Sequence, residues 1–214
     1  MHITVFGATG GVGSQVVDRL VKAGHQVTGV VRNPAKAHEV SARGAQVVVG
    51  DIRTDDVSAA LEGTEAVVWA LGARMMVDGP AAAPAIDGDA AVAAIQLADK
   101  IGVRRWVQVS SMMADRPESG PPVLLPFLHA KQASDDAVRA TSMEWTVIRP
   151  AGLNDEPATG LITVATNIDV HQPISRTDVA DVAVACVTSS LGSYKSFDLI
   201  SGGAPITEAL GALD

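Results

Sequence analysis

The amino-acid sequence predicts a Rossmann-type α/β fold: a doubly wound parallel sheet in three layers, built as a single domain over residues 1–214. Short β-rich runs alternate with helical patterns along the chain, which is typical of a parallel sheet with helices on both faces. Several runs are unbroken β-branched stretches, as expected when both sheet faces are covered. A glycine-rich turn, Gly7–Gly13, directly follows the first run. No linker, repeat or shift in composition divides the chain.

The elements follow one another in a strand–helix rhythm. The predicted strands are Ile3–Phe6, Gln26–Val31, Gln46–Val49, Ala66–Trp69, Trp106–Val109, Trp145–Ile148 and a last one near Ser196–Ile200. The predicted helices are Gly11–Ala23, Pro34–Arg43, Val57–Leu61, Ala82–Ile101, Pro126–Thr141 and Thr177–Ser189. The first helix is the clearest, because Gly24 stops it and one face carries Val12, Val16, Val17, Leu20 and Val21.

The composition excludes several classes of protein. Hydrophobic residues make up 47% and charged residues 19% of the chain, which are globular values. A formal net charge of −8 disfavours nucleic-acid binding. No apolar run approaches the length of a membrane span, and Met1 and His2 lead straight into a strand, so we expect a cytoplasmic protein without a signal peptide. The single Cys186 cannot form an internal disulfide, and no cysteine and histidine spacing suggests a metal site.

The order strand, glycine turn, helix predicts a phosphate-binding site. A helix N-terminus leaves backbone N–H groups unpaired and carries the positive end of the helix dipole. Gly7 would allow the tight turn, Gly10 the close approach of a pyrophosphate, and Gly13 the packing of the helix on the strand. Thr9, Gly11 and Val12 belong to the same turn. We therefore expect all six residues to bind a dinucleotide.

The end of the second strand predicts which dinucleotide is bound. Proteins that select NAD place an acidic residue there, whereas this chain has Arg32 and, one helical turn later, Lys36. A guanidinium attracts the extra phosphate of NADP, so we expect NADP(H) rather than NAD. Asp51 follows the third strand and either bonds the adenine amine, with Ile52 covering the ring, or caps a nearby helix.

Residues just past the carboxyl ends of parallel strands meet at one edge, where ligands collect. Besides the residues above, this rule predicts a cofactor site lined by Ala70, Leu71, Gly72, Ser110, Pro150 and Gly152. Ser110 and Ser111 are the candidate catalytic residues, and positioning of the nicotinamide or substrate is more plausible for them than covalent catalysis. We expect the substrate side to be formed by the loops 74–84, 112–126 and 151–160.

The glycine turn together with Val107–Ser111 resembles the short-chain dehydrogenase/reductase superfamily. The chain looks more closely like the atypical branch of NAD(P)H-binding proteins related to flavin/biliverdin reductases and NmrA-like sensors. The segments that match this branch are Thr9–Gly13, Asp51 after the third strand, Ile148–Gly152 and Ile174–Asp181. The resemblance covers essentially the whole chain, and its motifs are more specific for the fold and cofactor than for the reaction.

One residue departs from the superfamily pattern. The resemblance implies a tyrosine four residues before a lysine on one helix, the tyrosine supplying a proton and the lysine holding the nicotinamide ribose. The matching segment ends in Lys131 and has Phe127 in place of the tyrosine. His129 is expected to face away from Lys131, because successive helical residues turn by about 100°. Lys131 itself either binds the cofactor or is a solvated helix lysine.

Two functions therefore compete at this point. The first is an NADPH-dependent oxidoreductase that reduces a small conjugated acceptor, such as a flavin or quinone, without the tyrosine acid. The second is a non-catalytic NADP(H)-binding sensor that reports the cofactor state to a protein partner. In either case we expect a monomer or homodimer that binds a small molecule and contacts neither nucleic acid nor membrane.

Overall fold

The computed structural model describes residues 1–73 and 82–213, and a mostly parallel sheet runs through these two ranges. The strands are β1 His2–Phe6, β2 Gln26–Val31, β3 Gln46–Val49, β4 Ala66–Trp69, β5 Arg105–Val109, β6 Glu144–Pro150, β7 Leu153–Asn154, β8 Leu161–Ala165, β9 Ile174–Ser175, β10 Lys195–Ser201 and β11 Ala204–Pro205. The main sheet has the order β11-β8-β10-β6-β5-β4-β1-β2-β3. The predicted Rossmann-type fold is confirmed.

The order of the strands creates a crevice beside β1. The chain first winds outward through β2 and β3, then returns to place β4 on the other side of β1. Crossover connections in a doubly wound sheet diverge at such a point, so the carboxyl ends of β1 and β4 border an open cleft. The glycine turn begins at this cleft, directly after Phe6.

Helices cover both faces of the sheet. They are α1 Gly13–Lys22, α2 Ala37–Ser41, α3 Ala91–Ile101, α4 Leu125–Arg139, α5 Arg176–Thr188 and α6 Ile206–Gly211. Val16 of α1 and Val179 of α5 belong to the hydrophobic core on one face. Ala94 of α3 and Val138 of α4 belong to the core on the other face. The domain therefore has the three layers that the alternating pattern predicts.

The single cysteine of the chain belongs to the hydrophobic core. Cys186, on the apolar side of α5, is buried in the first of these cores. Burial raises the pKa of its thiol to about 12. In the ranges that the structure covers, no helix is long and apolar enough to cross a membrane.

The predicted helix Ala82–Ile101 is in fact two helices of different pitch. A π-helix, Pro84–Ala90, precedes α3. π-helical turns are rare and often occur at functional sites. Here the wider turn contains Asp87, whose side chain is fully buried. A uniform α-helix was therefore the wrong expectation for this segment.

Several smaller predictions need correction. The sheet is not wholly parallel, because β8 pairs antiparallel with β10. The region Pro34–Arg43 is a 3₁₀ turn, Pro34–Lys36, followed by the short α2, and Val57–Leu61 is a 3₁₀ turn over Ser58–Leu61. The loop 151–160 contains β7, and the loop 112–126 contains 3₁₀ turns at Pro117–Ser119 and Pro122–Leu124. Most of the loop 74–84 lies outside the described residues.

Candidate functional site

The glycine turn is shaped by two close backbone approaches. Gly7 has φ +81°, and a Cβ there would lie 2.6 Å from the carbonyl oxygen of Ala70. A Cβ on Gly13 would lie 2.2 Å from the Gly7 carbonyl oxygen. Any larger residue at either place would push strand, turn and helix apart. Gly10 is different: its nearest obstacle is the same Gly7 oxygen at 3.1 Å, and its remaining surroundings are open.

The start of α1 is suited to an anion. Among the described residues no side chain caps this helix, whose N-cap is Val12. An uncapped N-terminus leaves amide hydrogens without intrahelical partners, and the helix dipole adds positive potential. Because Gly10 and Gly11 carry no side chain, a phosphate can approach these amides closely. The turn thus fits the diphosphate of a dinucleotide.

A groove of about 370 Å³ extends from this turn over the ends of β1, β2 and β4. The predicted cofactor residues that line it are Gly7, Thr9, Gly10, Arg32, Asp51, Ile52, Ala70, Leu71 and Gly72. Sequence reasoning missed Asn33 and Arg53, which also line it. The predicted residues outside the lining are Gly11, Val12, Gly13, Ser110, Lys131, Pro150 and Gly152.

One end of the groove is exposed and basic; we call Arg32, Asn33, Lys36, Asp51 and Arg53 the open end. Arg32 is exposed and, within the described residues, makes no hydrogen bond or ion pair. Lys36 lies 3.8 Å from Glu39, a loose pair between half-exposed groups. Both cations are available to a phosphate that enters the groove.

Asp51 and Arg53 form an ion pair at the open end. Arg53 donates from its backbone amide and from Nε to Asp51 Oδ1, at 3.1 and 2.9 Å. Hydrogen bonds from the Arg53 side chain are the main cause that lowers the Asp51 pKa to about 2. Asp51 does not cap the nearby 3₁₀ turn Ser58–Leu61, because the N-cap residue of that turn is Val57 and the Ser58 amide donates to Asp56. The capping alternative is therefore wrong.

The other end of the site contains paired charges; we call Asp87, Lys131, Asp135 and Arg149 the buried charge cluster. Lys131 is 4% exposed, so the solvated-lysine alternative is wrong. Its Nζ lies 2.8 Å from Asp87 Oδ1 and donates to the Val109 carbonyl oxygen at 3.2 Å. Asp87 Oδ2 accepts from the Ala73 amide at 2.9 Å, which places the pair beside the groove residue Gly72.

Asp135 and Arg149 are the second pair of the buried charge cluster. Asp135 lies one helical turn after Lys131 on α4, and Arg149 Nε donates to its Oδ2 at 3.0 Å. Burial raises the pKa of the Asp135 carboxyl, and Arg149, the Ser110 hydroxyl and Lys131 oppose the shift. Arg149 also pairs with Asp115, in the loop 112–126. These contacts link the floor of the site to a loop predicted on the substrate side.

Ser110 is placed next to the buried charge cluster. Its amide donates to the Ile148 carbonyl oxygen at 2.7 Å, and its side chain is buried. The Ser110 hydroxyl is near enough to Asp135 to oppose the rise of its pKa, yet neither this hydroxyl nor Asp135 Oδ1 has a hydrogen-bond partner of good geometry within the described part of the chain. Buried hydroxyls without such a partner are uncommon, so the Ser110 hydroxyl has hydrogen-bonding capacity left for a ligand. Ser111, by contrast, donates to the Met112 carbonyl oxygen.

The remaining predicted residues lie around this region. Phe127 and Lys131 share a face of α4, with Lys131 Nζ 5.8 Å from the centre of the Phe127 ring. His129 points away and lies 3.2 Å from Glu118, as expected. Pro150 ends β6, and the Gly152 carbonyl oxygen accepts from the Ile174 amide.

Sequence reasoning missed Asp87, Asp135 and Arg149. Only Asp135 had a local signal, because it lies four residues after Lys131 and must share its helix face. Asp87 and Arg149 come from other elements, and their neighbours are apolar. No group of three or more His, Cys, Asp or Glu side chains in residues 1–73 and 82–213 is arranged to hold a metal ion.

Comparisons with known proteins agree with this geometry. The family model described as NAD(P)H-binding matches residues 7–190. The uncharacterized sugar epimerase YhfK of Bacillus subtilis is 30% identical over 98% of this chain and 99% of its own. The NAD(P)H azoreductase of Xenophilus azovorans is 28% identical over 98% of this chain and 73% of its own.

Two solved structures extend the comparison. A Bacillus halodurans protein, described as a candidate NAD-dependent epimerase/dehydratase, is 32% identical with a TM-score of 0.94, and the match covers 100% of both chains. The Lactococcus lactis oxidoreductase ylbE is 26% identical with a TM-score of 0.86, over 100% of this chain and 96% of the other. The chain therefore belongs to the NAD(P)H-binding family, as an atypical short-chain dehydrogenase/reductase.

Proposed function

We propose that this protein is an NADPH-dependent reductase of a small conjugated acceptor, such as a flavin, a quinone or an azo compound. The observation that carries the proposal is Phe127 on the face of α4 that also carries Lys131. The cofactor turn is intact, yet a phenyl ring stands where the superfamily pattern has a proton donor. Reduction of an isolated carbonyl needs such a donor, whereas a conjugated acceptor delocalises the charge that arrives with the hydride.

NADP(H) rather than NAD(H) is the proposed cofactor. Arg32 supports it, since this exposed guanidinium stands at the end of β2, where NAD-selecting proteins have an acid. Arg53 neutralises Asp51, the acidic residue of the open end, by an ion pair. The open end therefore favours an additional phosphate.

In the proposed binding mode, different residues of the chain contact different parts of the cofactor. Backbone amides of Gly11 and Val12 would hold the diphosphate, because the Gly10 amide already donates to the Gly7 carbonyl oxygen. Ile52 and Leu71 would flank the adenosine. When bound, the nicotinamide supplies the hydride. Ser110 would orient the carboxamide or the acceptor through its buried hydroxyl, while the buried charge cluster excludes water from this end. We assign no acid to the enzyme, so the reduced acceptor takes its proton from solvent after the hydride transfer.

The names of the relatives include epimerases as well as reductases. Epimerisation through transient oxidation of a sugar alcohol needs a base that removes the hydroxyl proton. Lys131 forms an ion pair with Asp87, and Phe127 cannot take a proton. We therefore favour reduction of an acceptor over epimerisation of a sugar.

The test is a turnover assay with purified protein, NADPH and a panel of flavins, quinones and azo dyes, followed by the loss of nicotinamide absorbance. We expect turnover with at least one conjugated acceptor and none with simple ketones. Ser110→Ala should lower kcat by about tenfold, because one positioning hydrogen bond is lost. A raised Kd for NADPH assigns that bond to the carboxamide, and an unchanged Kd assigns it to the acceptor. Tight NADPH binding without turnover across the panel would instead support the sensor.

A further inference from the structure

An arginine from far along the chain lies against the glycine turn. Arg176 is the first residue of α5 and follows the N-cap Ser175. A Cβ on Gly11 would lie 2.6 Å from Arg176 Cδ and 3.0 Å from its Nε. The arginine side chain therefore crosses directly over the turn, and Gly11 must lack a side chain to make room for it.

The backbone around Arg176 is held firmly. Ser175 accepts from the Asp178 amide at 2.9 Å and donates to Asp178 Oδ2 at 2.8 Å. The buried Asp178 also accepts from the amides of Thr159 and Gly160, at 3.2 and 2.9 Å. These bonds join the start of α5 to the loop 151–160. The approach of Arg176 to the glycine turn is thus set by the fold.

The guanidinium group, in contrast, is held weakly. β7 and β9 pair with Asn154 opposite Ser175, so that Asp155 and Arg176 are the next residues of the two strands. Arg176 Nη1 donates to Asp155 Oδ1 at 2.8 Å, but the Asp155 side chain is 86% exposed and that of Arg176 31% exposed. Solvent screens such a pair strongly, and a competing anion displaces it readily.

We propose that Arg176 binds the diphosphate of the nicotinamide cofactor, and that Asp155 holds its guanidinium in the free protein. An arginine fork pairs with two phosphate oxygens at once, which an exposed carboxylate at the end of a short strand cannot match. Cofactor binding then exchanges one anion for another on a cation that is already in place. This inference rests on the proposed dinucleotide site and adds a ligand from α5 to it.

The proposal predicts opposite effects from the two partners. Arg176→Gln should weaken NADPH and NADH by the same factor, about tenfold or more, because both contain the diphosphate. Asp155→Asn should tighten both by about twofold to fivefold, because the competitor is removed. In the double variant the gain should disappear. Calorimetric Kd values for the four proteins with both cofactors test all three statements.

Arg139→Gln is the matched control. Arg139 pairs with Asp136 in the last turn of α4, and its side chain is 32% exposed, close to the 31% of Arg176. This substitution should leave both Kd values unchanged. Equal melting temperatures of the Asp155→Asn variant and the wild type show that its binding change is not a folding effect.

Two outcomes overturn the proposal. One is an Arg176→Gln variant that is folded and binds both cofactors within twofold of the wild type. The other is an Asp155→Asn gain that persists without Arg176, since the carboxylate would then act elsewhere. A wild-type protein that binds neither cofactor refutes the proposed function instead, so the two failures are distinguishable.

Discussion

Charged side chains at the two ends of the site differ in exposure and in pairing. At the open end, the guanidinium of Arg32 and the amine of Lys36 face solvent with loose partners or none among the described residues. In the buried charge cluster, each charge of Asp87, Lys131, Asp135 and Arg149 has a counter-charge within 3.0 Å. Exposed charges can select a ligand because water solvates them until the ligand binds. Buried charges have no such solvation, so the protein itself must supply their counter-charges.

This contrast suggests different tasks. In the proposed function, the open end distinguishes one charged nucleotide from another at little cost to folding. In the same proposal, the buried charge cluster lies at the reacting end and surrounds it with fixed dipoles instead of water, which protects the hydride transfer from solvent. Variants at the two ends should therefore fail in different ways.

The largest expected effect is on stability at the buried end. Arg149→Met should lower the free energy of unfolding by about 3–5 kcal/mol, because Asp135 is left buried without its counter-charge. Arg104→Met is the control, since Arg104 makes an exposed pair with Glu65 and its loss should cost about 1 kcal/mol or less. Urea denaturation of both variants measures the difference. Equal losses would contradict the contrast between the two ends.

The next effect is on cofactor choice at the open end. Arg32→Gln should weaken NADPH about tenfold to a hundredfold and leave NADH unchanged, because only NADPH carries the additional phosphate. Arg43→Gln serves as the control, an exposed arginine that makes a loose 3.8 Å pair with Asp18 outside the groove. Fluorescence titration with the two cofactors gives the ratio of the Kd values. An equal loss for both cofactors would count against selection by Arg32.

A third effect tests how completely Asp87 neutralises Lys131. Phe127→Tyr introduces a phenol beside Lys131 Nζ, and its pKa should remain near the ordinary value of about 10 while Asp87 holds the lysine charge. Adding Asp87→Asn should lower that pKa by about one unit, because an unpaired cation favours the phenolate. Near-ultraviolet absorbance titration measures both, with Asp87→Asn alone as the blank for Tyr194. Identical phenol pKa values would show that Lys131 is not screened by Asp87.

The smallest effect concerns acid stability at the open end. The pKa of Asp51 is lowered to about 2, so its pair with Arg53 stabilises the fold above the ordinary carboxyl pKa of about 3.9. That contribution is lost as the pH falls from about 4 to 2. Asp51→Asn should lack this part of the acid dependence, a difference below about 1 kcal/mol because Arg53 is exposed. Unfolding curves across this pH range measure it, and parallel curves would contradict the expectation.

The sequence predicts the open end much better than the buried one. The glycine turn and Arg32 carry local signals, since a strand, a turn and a helix follow one another within a few residues. Phe127 and Lys131 are visible through their spacing on a single helix. The partners of Lys131 are not visible, because Asp87 lies on a π-helix and Arg149 in a strand of apolar neighbours. Buried ion pairs depend on which elements the fold brings together, and no local pattern records this.

The same difference between local and long-range signals explains the errors in the predicted strands and helices. The parallel strand β4 is a continuous apolar run and β2 is rich in valine, and the predicted bounds of both agree with the structure. β8, the second strand from one edge of the main sheet, has a buried Ile162 between the exposed Leu161 and Thr163, and it pairs antiparallel with β10. Its pattern is weaker because only one face contributes to the core. The short α6 is missed for a similar reason: few of its residues are buried.

The lone cysteine gives every one of these experiments an internal reporter. With its pKa near 12 and its sulfur enclosed by the core, the Cys186 thiol should not react with alkylating reagents while the chain is folded. Alkylation then proceeds only through opening of the domain, and its rate under native conditions follows the frequency of those openings. Mass spectrometry of the alkylated protein can thus rank the variants by conformational stability without denaturant, dye or engineered label.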